Sequence, residues 1–420
     1  VLAAASHSTN TTNTTNTTNT TNTTNTTNTT NTTNTTTPNM DRIPEIESFL
    51  RHGDRSLALR RMLDLSFDAG DDALLAQAVA WSRRYRKAIG EEGAEVPSSF
   101  YNEAEALLQR LRSLQGPAPA PVNLLTAEAI AKTYPRSRFS LQPLSLQVAS
   151  GAIIGIVGEN GNGKTTLLRA LAGQLDTDAG GITYSQLPGA DAYRIKQYLA
   201  FIPQRIPRWY GLLKDNLHFS AALSGFTGKE NELMVDFMLE RLLLADYAHL
   251  TWNQISSGYR TRFEIARILL QRPSLLLLDE PLANLDIIAQ QTILTDLRYM
   301  AKSYRHPMGV VLSSQQLHEV EKIADTVLFI RQGACLYRTG EAEVAAGAVV
   351  EVETEAGRAV LEAALAGQDV TIQFNGGYYT LTAARQSMQE LLLLLLNSGL
   401  SITYFRDITH STKRFFRARS

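Results

Sequence analysis

The chain has 420 residues, enough for two or three domains with separate cores. Its 40 lysines and arginines nearly balance 41 aspartates and glutamates, which argues against nonspecific binding to nucleic acid. A single cysteine, Cys335, excludes an internal disulfide framework. No apolar run reaches about 18 residues, so no membrane-spanning helix is predicted. We therefore expect a protein that is soluble or is held at a membrane by a partner.

The first segment, residues 1–39, is dominated by an Asn-Thr-Thr repeat without apolar side chains. Such a tract cannot bury enough surface to offset the entropy lost on ordering, so we predict disorder. Each repeat also matches the glycosylation acceptor N-x-[ST], a match that has no role if the protein is cytosolic, as we expect. The opening Val1–Ala5 lacks the basic flank and length of a signal peptide. Met40 is a candidate start, and the tract is then an upstream extension, a repeat expansion or an engineered spacer.

Residues 40–115 show helical periodicity and predict a helical domain. Two apolar faces carry the pattern, one formed by Leu74, Ala78, Trp81 and Tyr85 and the other by Ala104, Leu107, Leu108 and Leu111. No polar cluster converges on them, which favours a module covering its own apolar stripes over a catalytic one. Residues 116–124, rich in proline and alanine, predict a stiff linker.

The central region, residues 125–345, alternates short apolar segments with helical ones and predicts an α/β domain. Its organising stretch is Ile153–Leu168. We predict a buried strand over Ile153–Val157, a glycine-rich loop, and a helix over Thr165–Leu171. Within this stretch the phosphate-loop spacing G-x-x-x-x-G-K-[ST] is formed by Gly158, Gly163, Lys164 and Thr165.

Each residue type of this loop suits phosphate chemistry. Glycines let the backbone curl so that successive N–H groups point at phosphate oxygens, at the positive end of the following helix. Lys164 can reach the outer phosphates, and the hydroxyl of Thr165 can hold one Mg²⁺ position. The loop therefore predicts a nucleotide-phosphate site.

A second apolar run, Leu275–Leu278, predicts a central parallel strand that ends in two acids. Asp279 at its end is expected to hold Mg²⁺ through water, and Glu280 to polarise the attacking water. The alternative, an acidic pair in a solvated loop, is common for isolated Asp-Glu pairs. The apolar tetrad and the phosphate loop favour the first interpretation.

A third segment, Ile255–Arg262, runs into a predicted helix over residues 263–270. Ser256 and Ser257 can cap that helix, whose N-terminus attracts anions. Taken alone, this segment indicates only a capped helix.

Together and in this order, the motifs resemble those of ATP-binding cassette (ABC) ATPases over about residues 125–340. The correspondences are Gly158–Thr166 with the family's phosphate loop, Leu275–Glu280 with its metal-and-water strand, Ile255–Tyr259 with its signature L-S-G-G-Q, and Pro281–Asp286 with its dimer-contact loop. The resemblance implies a P-loop nucleotide-binding fold, with ATP and Mg²⁺ as cofactors.

The resemblance also implies roles for single residues. Contacts to ATP are implied for Tyr134, Gly158, Asn160, Gly161, Gly163, Lys164, Thr165, Thr166, Gln204, Ser256 and Gly258. Metal contacts are implied for Thr165, Gln204 and Asp279, and catalytic roles for Lys164, Glu280 and Gln315. Tyr134 is placed like the aromatic residue that stacks on adenine, with a core tyrosine as the alternative.

Two departures from the family pattern bear on activity. The signature has I-S-S-G-Y, which keeps Ser256 and Gly258 but replaces a glycine and the glutamine. Gln315 stands where the family normally has a histidine that contacts the γ-phosphate. A carboxamide can donate a hydrogen bond but cannot carry a proton charge, so turnover is expected to be low. His318, three residues on, is more easily explained as a surface histidine than as a substitute.

The resemblance also implies a dimer, formed with a second copy of the chain or with a related ATPase, that holds two ATP molecules between the subunits. This dimer is expected on the cytoplasmic face of a membrane, docked against separate permease subunits. The expected docking surface is Phe201–Leu217, with Arg205, Arg208, Trp209 and Tyr210. Ordinary packing is the alternative explanation for its aromatic residues.

The last segment, residues 346–420, has a β-α-β-β-α-β pattern that predicts a ferredoxin-like domain. Such a tail resembles those of exporters with a separate permease. We therefore expect the ATPase subunit of an exporter. The alternatives are an ATP-gated regulatory or assembly subunit with weak hydrolysis, and a soluble ABC protein that acts on ribosomes or DNA.

Overall fold

The computed structural model describes residues 42–89, 98–114, 119–135, 139–187, 189, 192–283, 285–339 and 347–409. The Asn-Thr-Thr tract, Met40 and part of the predicted linker lie outside these residues. Within them, no helix combines the length and the apolar character that crossing a bilayer requires.

Four helices open the described chain: α1 Arg42–His52, α2 Arg55–Ala69, α3 Asp72–Ile89 and α4 Ser98–Arg112. Helix α2 starts where Asp54 accepts a hydrogen bond from the N–H of Leu57, and it ends at Gly70, whose φ of 69° suits glycine. Both apolar faces recognised in the sequence are buried. Trp81 stacks on Phe100, with ring centroids 4.6 Å apart, which joins α3 to α4.

The central domain follows, and its strands and helices alternate as expected. In chain order they are β1 Asn123–Thr133, β2 Ser140–Ala149, β3 Ile153–Val157, α5 Lys164–Leu171, β4 Ala179–Tyr184, α6 Ala192–Tyr198, β5 Leu199–Ile202, α7 Leu213–Leu223, α8 Gly228–Arg241, α9 Ser257–Leu269, β6 Leu275–Leu278, α10 Ile287–Ala301, β7 Gly309–Ser314, α11 Leu317–Glu321, β8 Thr326–Arg331 and β9 Ala334–Arg338. Short 3₁₀ turns, Ala245–Tyr247 and Trp252–Gln254, precede α9.

The main sheet has six strands in the order β5-β6-β7-β3-β8-β9. The first five are parallel and β9 is antiparallel to β8. Strands β3, β6 and β7 are buried at every position, as parallel strands covered on both faces should be. Because the strands are parallel, the loops that leave their carboxyl ends meet at one edge of the sheet. A second, antiparallel sheet has the order β2-β1-β4. The predicted α/β class is confirmed.

The four N-terminal helices share a hydrophobic core with the helices of the central domain. Phe67 of α2 stacks on Phe237 of α8 with ring centroids 5.0 Å apart. A buried ion pair joins Arg60 of α2 to Asp296 of α10 at 2.8 Å. Asp64 of α2 accepts a hydrogen bond from Arg241 of α8 at 2.5 Å. Helix α2 is thus fixed to two helices of the central domain by apolar packing and by paired charges.

The C-terminal elements are β10 Val349–Thr354, α12 Arg358–Ala364, β11 Val370–Phe374, β12 Tyr379–Ala383, α13 Met388–Asn397 and β13 Ile402–Asp407. They form an antiparallel sheet of order β11-β12-β10-β13 with its own core. The β-α-β-β-α-β order is the ferredoxin-like pattern. The second helix of this domain begins at Met388. The reason is a capping box, in which Ser387 and Glu390 each accept a hydrogen bond from the backbone N–H of the other.

Candidate nucleotide-binding site

The phosphate loop connects β3 to α5, as the sequence indicated. Gly161 and Gly163 have φ of 80° and 100°, a backbone region that strongly favours glycine. A Cβ on Gly158 would overlap the carbonyl oxygen of Ile330, so this position needs a residue without a side chain. The side chain of Asn162 secures the loop by accepting a hydrogen bond from the N–H of Gln332 at 2.9 Å. The loop is therefore held open in front of the N-terminus of α5.

Lys164 is buried beneath this loop, with only 5% of its surface exposed. Its ammonium donates to the carbonyl oxygens of Gly158 at 2.7 Å and Glu159 at 3.1 Å. The same nitrogen lies 2.9 Å from Oε1 of Glu280, a buried carboxylate. The cation expected to bind phosphate and the acid expected to activate water are thus an ion pair in this structure.

Glu280 follows β6 in a left-handed conformation, with φ of 48°. This region is costly for a residue with a side chain and is often kept at functional sites. Its N–H donates to the hydroxyl of Ser313 at 2.8 Å, and its Oε2 accepts from the N–H of Gln315 at 3.3 Å. The carboxylate is therefore fixed between the phosphate-loop lysine and the end of β7.

Asp279 faces the first turn of α5. Its Oδ2 accepts a hydrogen bond from the hydroxyl of Thr165 at 2.8 Å, and its Oδ1 accepts from Ser313 at 2.8 Å. The Thr165 hydroxyl and the Asp279 carboxylate offer hard oxygen donors, which Mg²⁺ prefers beside phosphates. The residues present therefore fit a Mg²⁺ ion.

Ser313 is one residue of this site that the sequence analysis missed. Its hydroxyl accepts from Glu280 and donates to Asp279, so one side chain orients both acids. It is fully buried at the carboxyl end of β7. The signal was a serine pair directly before Gln315 at the end of an apolar strand.

Gln204 and Gln315 leave the same edge of the sheet. Gln204 comes two residues after β5, and Gln315 comes directly after β7. These strands lie on the two sides of β6, which is followed by Asp279. Both side chains are exposed. The backbone N–H of Asp279 donates to the carbonyl oxygen of Ile202 at 2.9 Å, which holds the β5 and β6 loops side by side.

The remaining residues of the loop face outward. Asn160, Gly161 and Thr165 are exposed, and Thr166 is half-buried in the first turn of α5. They leave the open side of the loop accessible for phosphates.

Tyr134 is connected to the phosphate loop by an aromatic residue, Phe139, that lies between them. Its half-buried ring is 6.2 Å from the ring of Phe139, and Phe139 lies directly against Gly163. Tyr134 is thus not a deeply buried core residue. Phe139 was not anticipated, because residues 134–139 show no periodic pattern.

The signature segment forms the start of α9. Ser256 is exposed at the N-cap and accepts a hydrogen bond from the N–H of Tyr259 at 3.5 Å, and Gly258 lies in the first turn. Tyr259, in place of the family's glutamine, packs on Tyr247 with ring centroids 3.9 Å apart and their hydroxyls 2.8 Å apart. Burial, with this hydrogen bond, raises the pKa of Tyr259 to about 12. The substituted side chain is directed into the protein.

The docking surface expected over Phe201–Leu217 is only partly available. Trp209 is 8% exposed, stacks on Trp252 at 5.1 Å and donates to Glu264 at 3.2 Å. The expectation that Trp209 contacts a partner is therefore wrong, because its ring and its N–H are used inside the domain. Tyr210 is exposed, with the guanidinium of Arg208 5.5 Å from its ring centroid.

His318 lies in α11 and is exposed, as a surface histidine should be. Its Nδ1 accepts a hydrogen bond from Arg406 of β13 at 2.6 Å. It therefore links the C-terminal domain to the helix that follows Gln315, and its Nδ1 is occupied.

A phosphate loop, a buried lysine, a threonine–aspartate pair and an oriented glutamate at the carboxyl edge of a parallel sheet define a P-loop nucleoside triphosphatase. Residues 141–283 match the family described as "ABC transporter".

Curated relatives agree with this match. Taurine import ATP-binding protein TauB of Yersinia pestis is 34% identical over 46% of this chain and 74% of its own length. ABC transporter ATP-binding protein NatA of Bacillus subtilis is 29% identical over 47% of this chain and 81% of its own. Among solved structures, cbiO1 from Clostridium perfringens is similar, with a TM-score of 0.46 and 23% identity over 51% of this chain and 88% of that chain. The chain belongs to the family of ABC transporter ATP-binding proteins.

Proposed function

We propose that this chain is an ATP-hydrolysing subunit that dimerises on ATP and drives a separate membrane permease from the cytoplasmic face. The observation that supports it best is the connected set of Lys164, Thr165, Asp279, Glu280 and Gln315 at one edge of the sheet. Measurement of Mg²⁺-dependent phosphate release from ATP tests the hydrolysis, and absence of release with the permease present would contradict it.

In this proposal each residue has one task. Lys164 and the loop N–H groups bind the phosphates, and Thr165, Asp279 and Gln204 hold Mg²⁺, which supplies positive charge where negative charge develops. Glu280 accepts a proton from the attacking water. Since Glu280 is paired with Lys164 at 2.9 Å in this structure, ATP binding must compete with that ion pair.

The dimer proposal rests on exposed elements. Ser256 and Gly258 offer a hydroxyl and a close backbone approach at the start of α9. Beside the dimer-contact loop, Ile287 and Ile288 at the start of α10 are 70% and 77% exposed, which is unusual for isoleucine and suits an interface. One chain carries one phosphate loop and one signature, so a second copy completes both sites.

The permease proposal rests on an apolar patch that follows Gln204. We define the α7 patch as Tyr210, Leu212, Phe219 and Leu223, all exposed, the last two at 67% and 74%. Exposed Arg205 and Arg208 flank it. Several exposed apolar side chains close together in the sequence, with charged residues beside them, are typical of a protein interface.

Replacing Phe219 and Leu223 of the α7 patch with serine is expected to abolish co-purification with the permease from membranes. These side chains project into solvent, so ATP binding and the thermal midpoint should stay unchanged. The matched control is Leu336→Ser in β9, a residue that is 53% exposed and outside the patch. Undiminished co-purification of the double variant would refute the docking assignment.

Replacing Gln315 with histidine is expected to raise ATP turnover, because an imidazole can carry a proton charge beside the γ-phosphate and a carboxamide cannot. The Gln316→His variant is the control, since Gln316 is the next residue and is equally exposed. Steady-state phosphate release decides the outcome. An unchanged rate of phosphate release in Gln315→His would show that Gln315 does not limit turnover.

Export is the direction that we propose. Its support is the C-terminal β-α-β-β-α-β domain, which resembles the tails of exporters with separate permeases. TauB and the phosphonates protein PhnC of Treponema denticola are named for import, so the direction depends on the tail alone. Identification of the co-purifying permease tests it, and an import-type permease with a solute-binding protein would overturn it.

A weakly hydrolysing, ATP-gated regulatory subunit is the second candidate, and Gln315 favours it. Phosphate release with the permease present distinguishes the two. Turnover stimulated by the permease supports the transport subunit, whereas ATP binding without turnover supports the switch.

A further inference from the structure

A cavity of about 330 Å³ lies between α2 and the central domain, far from the phosphate loop. Its lining includes Ser274 and Met308, which directly precede β6 and β7. It therefore opens at the amino ends of the strands whose carboxyl ends carry Asp279, Glu280 and Gln315. Its volume is at the lower end of the range of small-molecule pockets, about 300–1,000 Å³.

Part of the cavity wall is apolar, although Asp64 and Asp68 also line the cavity. Phe67 from α2 and Phe237, Met300 and Met308 from the central domain contribute its walls. Aromatic rings and methionines are typical of pockets that bury the apolar body of a small ligand. Since the walls come from both sides, a ligand here would contact the N-terminal helices and the central domain together.

The charged residues of the cavity lining are three arginines, Arg241, Arg272 and Arg305, and two aspartates, Asp64 and Asp68. Asp64 is paired with Arg241 at 2.5 Å, and Asp68 is paired with Arg42 at 3.1 Å. Both aspartates of the lining therefore have arginine partners within the protein.

Two exposed arginines, Arg272 and Arg305, also line the cavity, and neither forms an ion pair with a carboxylate among the described residues. The guanidinium of Arg272 lies over the ring of Phe226 at 4.6 Å, and Arg305 lies against Gly70. The neighbours of both guanidinium groups, Phe226 and Gly70, thus carry no negative charge.

We propose that this cavity binds a small organic anion, namely a carboxylate on a short apolar body. The carboxylate pairs with Arg272 and Arg305, and the body packs on Phe67, Phe237 and the two methionines. Two exposed guanidinium groups beside aromatic and methionine walls are complementary to such an amphipathic molecule. Bound there, it fixes α2 to the amino ends of β6 and β7.

Isothermal titration of the full chain with octanoate tests the site, with octanol and acetate as partial probes. Octanoate is expected to bind with a stoichiometry of one, at least about tenfold more tightly than octanol or acetate, because it alone offers both the charge and the body. Binding should weaken as NaCl is raised, since part of it is electrostatic. No saturable octanoate binding, or binding indifferent to salt, would overturn the proposal.

The Arg272→Gln, Arg305→Gln double variant is expected to bind octanoate at least about tenfold more weakly, while octanol binding stays unchanged. The matched control is Arg169→Gln on α5, an exposed arginine outside the cavity, which should bind octanoate like the unaltered chain. Retained ATP binding shows that the double variant is folded. An unchanged octanoate affinity in the folded double variant would overturn the assignment. If the variant does not fold, the salt dependence of octanoate binding to the unaltered chain is the test, and binding indifferent to salt would overturn the assignment.

Discussion

Replacing Lys164 with alanine is expected to reduce ATP affinity about 100-fold. A charge-assisted hydrogen bond to phosphate is worth about 1.5–3 kcal/mol, and a tenfold change in affinity corresponds to about 1.4 kcal/mol. Lys164 is 5% exposed and already aligned by the carbonyl oxygens of Gly158 and Glu159, so ATP loses a preorganised cation. Titration with a fluorescent ATP analogue measures the loss.

The Lys164→Ala variant also leaves Glu280 buried without its cation, which has a cost in stability. The thermal midpoint must therefore be measured beside the affinity, and ATP binding compared at a temperature where the variant is folded. Lys229→Ala, an exposed lysine in the first turn of α8, is the matched control and should leave affinity unchanged. Tight ATP binding by folded Lys164→Ala would refute the phosphate-loop assignment.

The sequence predicted most of the site because its signals are local. A strand, a glycine turn and a helix lie within the 19 residues from Ile153 to Leu171, and the acids directly follow an apolar tetrad. Once both strands are parallel, their carboxyl ends meet at one edge, so Lys164 and Glu280 converge although 116 residues separate them along the chain. The parallel sheet therefore brings the phosphate loop after β3 and the acids after β6 together in one site.

The rest depended on partners that are distant in the sequence. Arg60 and Asp296 are paired across 236 positions, and nothing in the periodicity of α2 indicates that its polar residues are buried. The sequence therefore predicted the helical segment but not its shared core with the central domain. The expectation that Trp209 contacts a partner was wrong for the same reason. Its sequence neighbours Arg208 and Tyr210 are exposed, while Trp252 and Glu264, which contact it inside the domain, are more than 40 residues away along the chain.

Replacing Glu280 with glutamine is expected to reduce ATP turnover by at least about 100-fold, because a carboxamide cannot accept a proton from the attacking water. ATP affinity is expected to rise in the same variant. The reason is the ion pair between Glu280 and Lys164, which ATP must break in the unaltered chain. A glutamine oxygen can still accept the hydrogen bond from the N–H of Gln315, so the loop is expected to keep its shape.

The two expected effects of Glu280→Gln separate catalysis from phosphate binding. Phosphate release and ATP affinity are measured on the same preparation, and Glu159→Gln is the matched control. The side chain of Glu159 is exposed, and only its backbone carbonyl contacts Lys164, so neither quantity should change there. Retained turnover in Glu280→Gln would remove Glu280 as the base. Lost turnover together with weaker ATP binding would show instead that the Glu280 carboxylate organises the phosphate loop. Loss of the ion pair frees Lys164 for ATP, but this raises the affinity only if the loop keeps its shape.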